Sequence, residues 1–294
     1  MTELVQELVN GVSLGSTYAL LALGLAMVFS ILGLINFAHG ELVTIGGYTM
    51  WTLFNHDVPW PAVLVLTLVA TTLAAVAMER IAFRPLRGAS IVTLLITSFA
   101  VSFFIQVSLQ IFVSAEPQGI GVPSWTDTVW HIGDVSLAAV KLVTFGVTIA
   151  AVIALTFFLR RTLLGVAMRA AAEDFDVVRL MGVRANAVVV AAFALSGLLA
   201  GVAALLYFAS APGVQSTDGT PLVINAFIGV ILGGLGNLYG AVVGGFVLGL
   251  ASSLLDANLS GTYAQFSQAF ALALVVGILL LRPQGLLGRT EGLT

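Results

Sequence analysis

The stretch GLAMVFSILGLINFAHGELVTIGGY, residues 24–48, decides the fold. It lies within an apolar run over residues 8–55 that is broken only by Asn36, His39 and Glu41. A helix crosses about 30 Å of hydrocarbon with about 20 apolar residues, so this run is too long for one crossing. It is most simply two, the first over residues 11–32, with the interruption at an amide, an imidazole and a carboxylate. Residues 1–10 carry Glu3 and Glu7 and no basic residue, so they do not read as a secretory signal, which needs a positive segment before its apolar core.

The rest of the chain has the same character. Of 294 residues 59% are hydrophobic and 9% charged, against roughly 25% charged in a soluble globular chain. Such a chain cannot cover its outside with polar groups and must face lipid. The formal net charge is −3, so nothing points to a polyanion-binding surface, and no nucleic-acid partner is expected. Cys is absent and the three His stand apart at 39, 56 and 131, so thiolate chemistry, disulfides and a local metal site are excluded by spacing.

Single spans are predicted over 61–79, 91–113, 138–159, 187–209 and 264–281. A second composite run, 222–255, is divided by Gly233, Gly234, Gly236 and Asn237 into a shorter and a longer half. The prediction is an all-α polytopic membrane protein with about eight spans plus broken or re-entrant segments, an internal repeat, and one transmembrane domain over 1–294. Ten of the 11 basic residues fall in three segments: Arg80, Arg84 and Arg87; Arg160, Arg161, Arg169, Arg179 and Arg184; Arg282 and Arg289. Cytoplasmic loops hold the excess of Lys and Arg, so these segments and the C-terminus are expected inside. The alternate segments carry Asp57, Glu116, Asp127, Asp134, Asp218 and Asp256, with Trp60, Trp125 and Trp130 placed as interfacial anchors.

Two places concentrate polar groups at depth. Asn36, His39 and Glu41 are a candidate for the lining of a substrate path, because ionisable residues inside a membrane are costly and point to function. The structural alternative is that Asn36 caps a helix beginning near Phe37, Glu41 favours that helix's dipole from its first turn, and His39 bonds a carbonyl freed by the break. The second place is GVILGGLGNLYGAVVGG, residues 229–245. Its glycines suit close helix packing. Taken with Asn225 and Asn237, they also suit a second interrupted segment at a midplane passage between repeats. No Lys-Ser/Thr pair follows any glycine-rich stretch, and no GxSxG or HExxH stands in a span, so the chain itself is expected to be neither ATPase nor hydrolase.

The basic loop 162–184 is too regular for a connector. Met168, Ala171, Phe175 and Val178 recur at helical spacing, predicting one amphipathic helix ended by Gly182. It either lies on lipid or docks a cytoplasmic protein; the acids Glu173 and Asp174 fit the protein better than an anionic bilayer.

Three segments together resemble a known family. Residues 24–48, the loop RAAAEDFDVVRLMGV (169–183) and the end FIGVILGGLGNLYGAVVGG (227–245) with LRPQGLLG (281–288) look like the permease subunit of branched-chain amino acid ABC importers, of the type called LivH. The resemblance covers nearly the whole chain. It implies a bacterial inner-membrane importer in which this subunit pairs with a second, related permease. Two cytoplasmic ATPases would use ATP and Mg, and an extracytoplasmic binding protein would deliver substrate; no cofactor is expected in this chain. The resemblance also implies that the loop carrying Arg169, Glu173, Asp174, Phe175, Arg179 and Gly182 seats in the ATPase, and that Asn36, His39 and Gly40 lie in one signature break and Gly233, Gly234, Gly236 and Asn237 in a second; with Glu41 and Asn225 from the reading of the residues above, these are the candidates for the substrate path. A urea or short-amide cargo stays open, as does, from a different class, an ion-gradient secondary transporter.

Overall fold

The computed structural model describes residues 2–132, 135–259 and 266–288, so Asp134, Arg289 and the start of the predicted 264–281 span lie outside the described residues. In hydrocarbon a backbone must satisfy its own polar groups, and the apolar runs accordingly form helices: α1 (Thr2–Leu32), α2 (His39–Asn55), α3 (Trp60–Met78), α4 (Ile91–Phe112), α5 (Ala139–Arg161), α6 (Leu163–Glu173), α7 (Phe175–Leu180), α8 (Ala185–Ser210), α9 (Gly219–Gly233), α10 (Leu238–Asn258) and α11 (Ser267–Leu281). Six of these, α1, α3, α4, α5, α8 and α10, are long and apolar enough to cross a membrane, while α9 and α11 are shorter apolar helices of 15 residues. Both composite runs divide where the sequence placed the break, one between Leu32 and His39 and the other between Gly233 and Leu238. α3 runs on through a π-helical turn, Glu79–Phe83, and a 3₁₀ turn, Arg84–Leu86. Two small antiparallel sheets occupy the loops: β1 (Gln118–Gly119) with β4 (Gly213–Val214), and β2 (Val129–Ile132) with β3 (Val135–Ala138).

The two ends of the bundle differ in charge. Arg87 bonds Asn186 at the start of α8, Arg169 donates to the Leu159 carbonyl at 3.0 Å, and Arg160 lies over the Tyr239 ring, so the basic segments gather at one face. At the opposite face Gln6 exchanges hydrogen bonds with the Ser136 backbone and Ser253 donates to Glu7.

Tracing each helix between these faces gives an inverted repeat. α1–α4 run towards, away from, towards and away from the arginine-rich face, whereas α8–α11 run in the opposite senses, with α5–α7 joining the halves. The packing obeys the same exchange: α1 on α10 matches α8 on α3, α2 on α3 matches α9 on α10, α2 on α8 matches α9 on α1, and α2 on α4 matches α9 on α11. Small residues permit the two equivalent crossings. A Cβ on Gly249 would stand 2.2 Å from Gly15 Cα, and one on Gly197 would stand 2.5 Å from Ala75 Cβ. α1 and α8 therefore form the core and are mostly buried, whereas α4 is mostly exposed and faces lipid.

The loop 162–184 departs from expectation in one respect. Met168, Ala171 and Val178 are buried and Phe175 half-buried, as the stripe requires. The backbone nevertheless extends at Asp174 (φ −152°, ψ 106°), making two short helices at an angle. The cause is local: the Asp174 carboxylate accepts the Val177 N–H at 3.0 Å and starts α7 afresh. Gly182, at φ +80°, ends it as expected.

Candidate functional site: a buried polar joint between two broken helices

Between α1 and α2 the chain is irregular over 33–38 but its backbone is not abandoned. Asn36 Oδ1 accepts the Ala38 N–H at 3.1 Å, and the Ser98 hydroxyl on α4 accepts the Phe37 N–H at 3.2 Å and contacts the Ile35 carbonyl at 3.3 Å. The helix starts at His39, two residues later than predicted, with Glu41 in its first turn. This start lies inside the bundle. The His39 Nδ1 meets the Ser196 hydroxyl of α8 at 3.1 Å, and the imidazole packs on Gly24 of α1, where a Cβ would be 3.0 Å from Cε1. Gly24 stands eight residues before the end of α1, about 12 Å along its axis at 1.5 Å per residue.

α9 begins at the same depth from the other side. A Cβ on Gly40 would fall 2.1 Å from the Gly219 carbonyl oxygen, and one on Gly219 would fall 2.4 Å from that of Gly40. The N-termini of the two short helices thus cross backbone to backbone and then diverge to opposite faces. Each turns a positive dipole end to the junction, which favours a carboxylate there.

Glu41 supplies it. The side chain is completely buried, its Oε1 accepts from Ser102 Oγ and from Gln106 Nε2, each at 2.8 Å, and Gln106 Nε2 also donates to Thr220 Oγ1 at 2.8 Å. One amide thereby ties α4 to both broken helices. No Lys or Arg stands in α2, α4 or α9. Among the described residues, Glu41 Oε2 and the hydroxyl of Thr44, one turn further on, have no hydrogen-bond partner within bonding geometry, nor has His39 Nε2. Unpaired polar atoms at such depth are costly; the Glu41 oxygen lacks a donor, while the Thr44 hydroxyl can both donate and accept.

The contribution of α4 escaped the sequence reading. Ser98, Ser102, Gln106 and Gln110 recur every four residues, and the structure sets them against the break, Glu41, Thr220 and Ser216 in turn, the last pair at 3.0 Å. The signal was the spacing itself, a polar stripe on an otherwise apolar helix, and it was passed over because each residue alone is unremarkable in a span.

The remaining candidates fall elsewhere. Asn225, two turns along α9, donates to the Tyr18 hydroxyl of α1 at 3.0 Å. Gly233, Gly234, Gly236 and Asn237 form the turn between α9 and α10 at the arginine-rich face. There Gly234 and Gly236 take φ +109° and +82°, and Asn237 Oδ1 caps α10 through the N–H groups of Tyr239 and Gly240 at 3.0 and 3.1 Å. The segment after α11 clamps this turn, with Leu286 and Leu287 donating to the carbonyls of Leu232 and Gly233. Gly229, Gly233, Gly240 and Gly244 are consumed in the backbone contact of α9 with α10. Asn36, His39 and Glu41 are thus brought together, and the second set is not brought to them.

At the arginine-rich face α6 is anchored by Arg169 on the end of α5, and α7 leaves Leu180 (87%) and Met181 (78%) exposed at its tip.

The family model described as "Branched-chain amino acid transport system / permease component" matches residues 7–281. The high-affinity branched-chain amino acid transport system permease protein BraD of Pseudomonas aeruginosa is 35% identical, over 98% of this chain and 96% of its own length. LivH of Escherichia coli, of the same description, is 33% identical over the same shares. A ribose import permease of Escherichia coli, RbsC, is 29% identical over 54% of this chain and 47% of its own length. No solved structure matches the chain.

Proposed function

The chain belongs to the family of branched-chain amino acid transport system permeases, and from that premise we propose that it forms half of the translocation path of an ATP-driven importer for branched-chain or other neutral amino acids in a bacterial inner membrane. Its partners on this reading are a second permease, two cytoplasmic ATPases and an extracytoplasmic binding protein, with the arginine-rich face and the C-terminus in the cytoplasm. ATP and Mg are used by the partners. The observation that carries the reading is the junction at Gly40 and Gly219, where two broken helices begin at one depth beside a buried carboxylate with an unpaired oxygen. Interrupted helices that meet at mid-depth are how repeat-built transporters make a site that opens to alternate sides.

The residues divide the work as follows. Binding of ATP by the partners moves α6 and α7 through Glu173, Asp174, Phe175 and Arg179. Arg87 links the α3–α4 loop to Asn186 of α8, and α8 carries Ser196 to His39, so a push at the cytoplasmic surface arrives at the first turn of α2. Separation of α2 from α9 opens the path, and a cargo ammonium donates to Glu41 Oε2 and the Thr44 hydroxyl. The aliphatic part of the cargo slides against Phe37, Phe99 and Phe227 beside the break, where Phe37 stacks on Phe99 with centroids 4.3 Å apart and meets Phe227 edge-on at 5.5 Å. Asn36, Asn225, Asn237 and the glycines of 233–236 flank this motion as caps and turns.

The kinship with a ribose permease leaves the cargo to be tested. Uptake of leucine, isoleucine, valine and urea is measured in proteoliposomes holding the complex isolated with this chain. ATP-dependent uptake of an aliphatic amino acid, lost in Glu41→Ala with the protein still in the membrane, is expected. Uptake by the chain alone on an ion gradient, or of urea only, overturns the reading.

A further inference from the structure

Away from the junction, at the arginine-rich face, lies a cavity of about 280 Å³ between the end of α1, the π turn after α3, the start of α4 and α7. Its walls are apolar, among them Ile31, Leu34, Phe83, Leu94 and Val189, and Phe175 of α7 closes one side. Two opposite charges also line it. Glu79, fully buried, is ion-paired through Oε1 with Arg87, while its Oε2 has no partner. Arg87 spends one amino group on Glu79 and the other on Asn186 and is 23% exposed, so N–H directions on the guanidinium remain open.

A buried ion pair is held where its geometry is good and its remaining lone pairs find donors. Here one carboxylate oxygen lacks a donor among the described residues, beside a cavity with mostly apolar walls. What fits is a molecule that brings an ammonium to Glu79 Oε2, an anionic oxygen to Arg87 and an aliphatic body to the walls. We propose that this cavity is a binding site for a zwitterionic aliphatic amino acid, separate from the junction at Glu41 and filled from the arginine-rich side. The identity of the ligand rests on the cargo class and the orientation proposed above, and the site itself on the cavity and its ion pair. Because Phe175 forms one wall, the occupied site holds α7 in place, and free amino acid on that side slows the ATPases.

The test uses the purified permease–ATPase complex without binding protein and the equilibrium binding of radiolabelled L-leucine. Saturable binding is expected, weakened roughly ten- to hundredfold by Glu79→Gln, which removes one charge-assisted hydrogen bond. Ala89→Phe, which adds bulk to the cavity lining and leaves both members of the ion pair in the chain, is expected to abolish it. Free L-leucine lowers ATPase activity in the wild type and not in Ala89→Phe. The proposal is overturned if binding survives Ala89→Phe unchanged, if isocaproate, which lacks the ammonium, binds as well as leucine, or if binding vanishes in Glu41→Ala while persisting in Ala89→Phe, which puts the ligand at the junction. Failure of the importer reading is seen separately, as absence of ATP-driven leucine uptake in proteoliposomes.

Discussion

Adding one methyl group at the helix crossing, Gly40→Ala, is expected to disable the joint without touching any polar side chain. The new Cβ would stand 2.1 Å from the Gly219 carbonyl oxygen and 2.7 Å from its carbon, where ordinary contact begins at 3.4 Å. Both obstacles are backbone, so no rotamer change relieves them, and α2 and α9 must part by roughly 1.3 Å. Gln106 bridges this very gap, with 2.8 Å bonds to Glu41 on one helix and Thr220 on the other. A displacement of that size takes at least one of them beyond hydrogen-bond length. Overpacking costs about 1–3 kcal/mol, and the stranded amide or carboxylate adds about 1–3 kcal/mol. The midpoint of thermal unfolding in detergent should fall by several degrees, and uptake in the reconstituted complex should be lost. Gly146→Ala serves as the control: its Cβ meets nothing within 4 Å in the interior of α5, so the better helix former should leave stability equal or higher by up to about 1 kcal/mol. A Gly40→Ala protein that unfolds with the wild type and transports with it would refute the crossing as drawn.

Gln106→Leu removes both bridges and leaves Glu41 with Ser102 as its donor; we expect a loss of about 2–4 kcal/mol, read as a lower midpoint, with Gln106→Asn giving no rescue because it is one methylene short. Asp174→Asn keeps an oxygen that can accept the Val177 N–H and so should leave α7 folded, whereas Asp174→Ala should cost about 1 kcal/mol of local stability; if charge docks the ATPase, both lose coupled transport, and a normal rate in Asp174→Asn shows that the cap alone matters. Leu180→Asp, at a tip 87% exposed, should leave folding within about 0.5 kcal/mol but abolish co-purification of the ATPases. Asn237→Ala strips the cap from α10 and the bond to the Leu287 carbonyl, and a stability loss of about 1–2 kcal/mol is expected, checked by the same thermal scan.

What the sequence disclosed follows from how local each feature is. Spans of six helices, the two breaks and the buried stripe of Met168, Ala171 and Val178 depend on apolar content and periodicity within one segment, and these were legible. The end of the single helix at Asp174 was not, because a residue that reads as surface charge acts as a cap only once its backbone extends. Close packing of the glycines in 229–245 was legible too, but not which helices they join: Gly233 and Gly240 oppose each other across α9 and α10. Gly40, quoted for its place in the INFAHG motif, gains its meaning only from Gly219, 179 positions later.

The position of Glu41 joins fold to mechanism. An inverted repeat places two helix starts at one depth by symmetry, but it does not make them alike: α9 has Asp218 at its N-cap, accepting the Gln215 N–H, and Thr220 near its start where α2 carries Glu41. At the Gln106 bridge the joint is therefore asymmetric: α2 brings an acid, α9 a hydroxyl, and α4 spans the two. Such an arrangement holds shut by hydrogen bonds from uncharged donors rather than by an ion pair, so opening it does not require separating opposite charges in hydrocarbon, where they would attract most strongly. The lipid-facing α4 can then follow either broken helix while its stripe changes partners, and the unpaired Glu41 oxygen and Thr44 hydroxyl are the positions at which an entering ammonium replaces what the moving helix gives up.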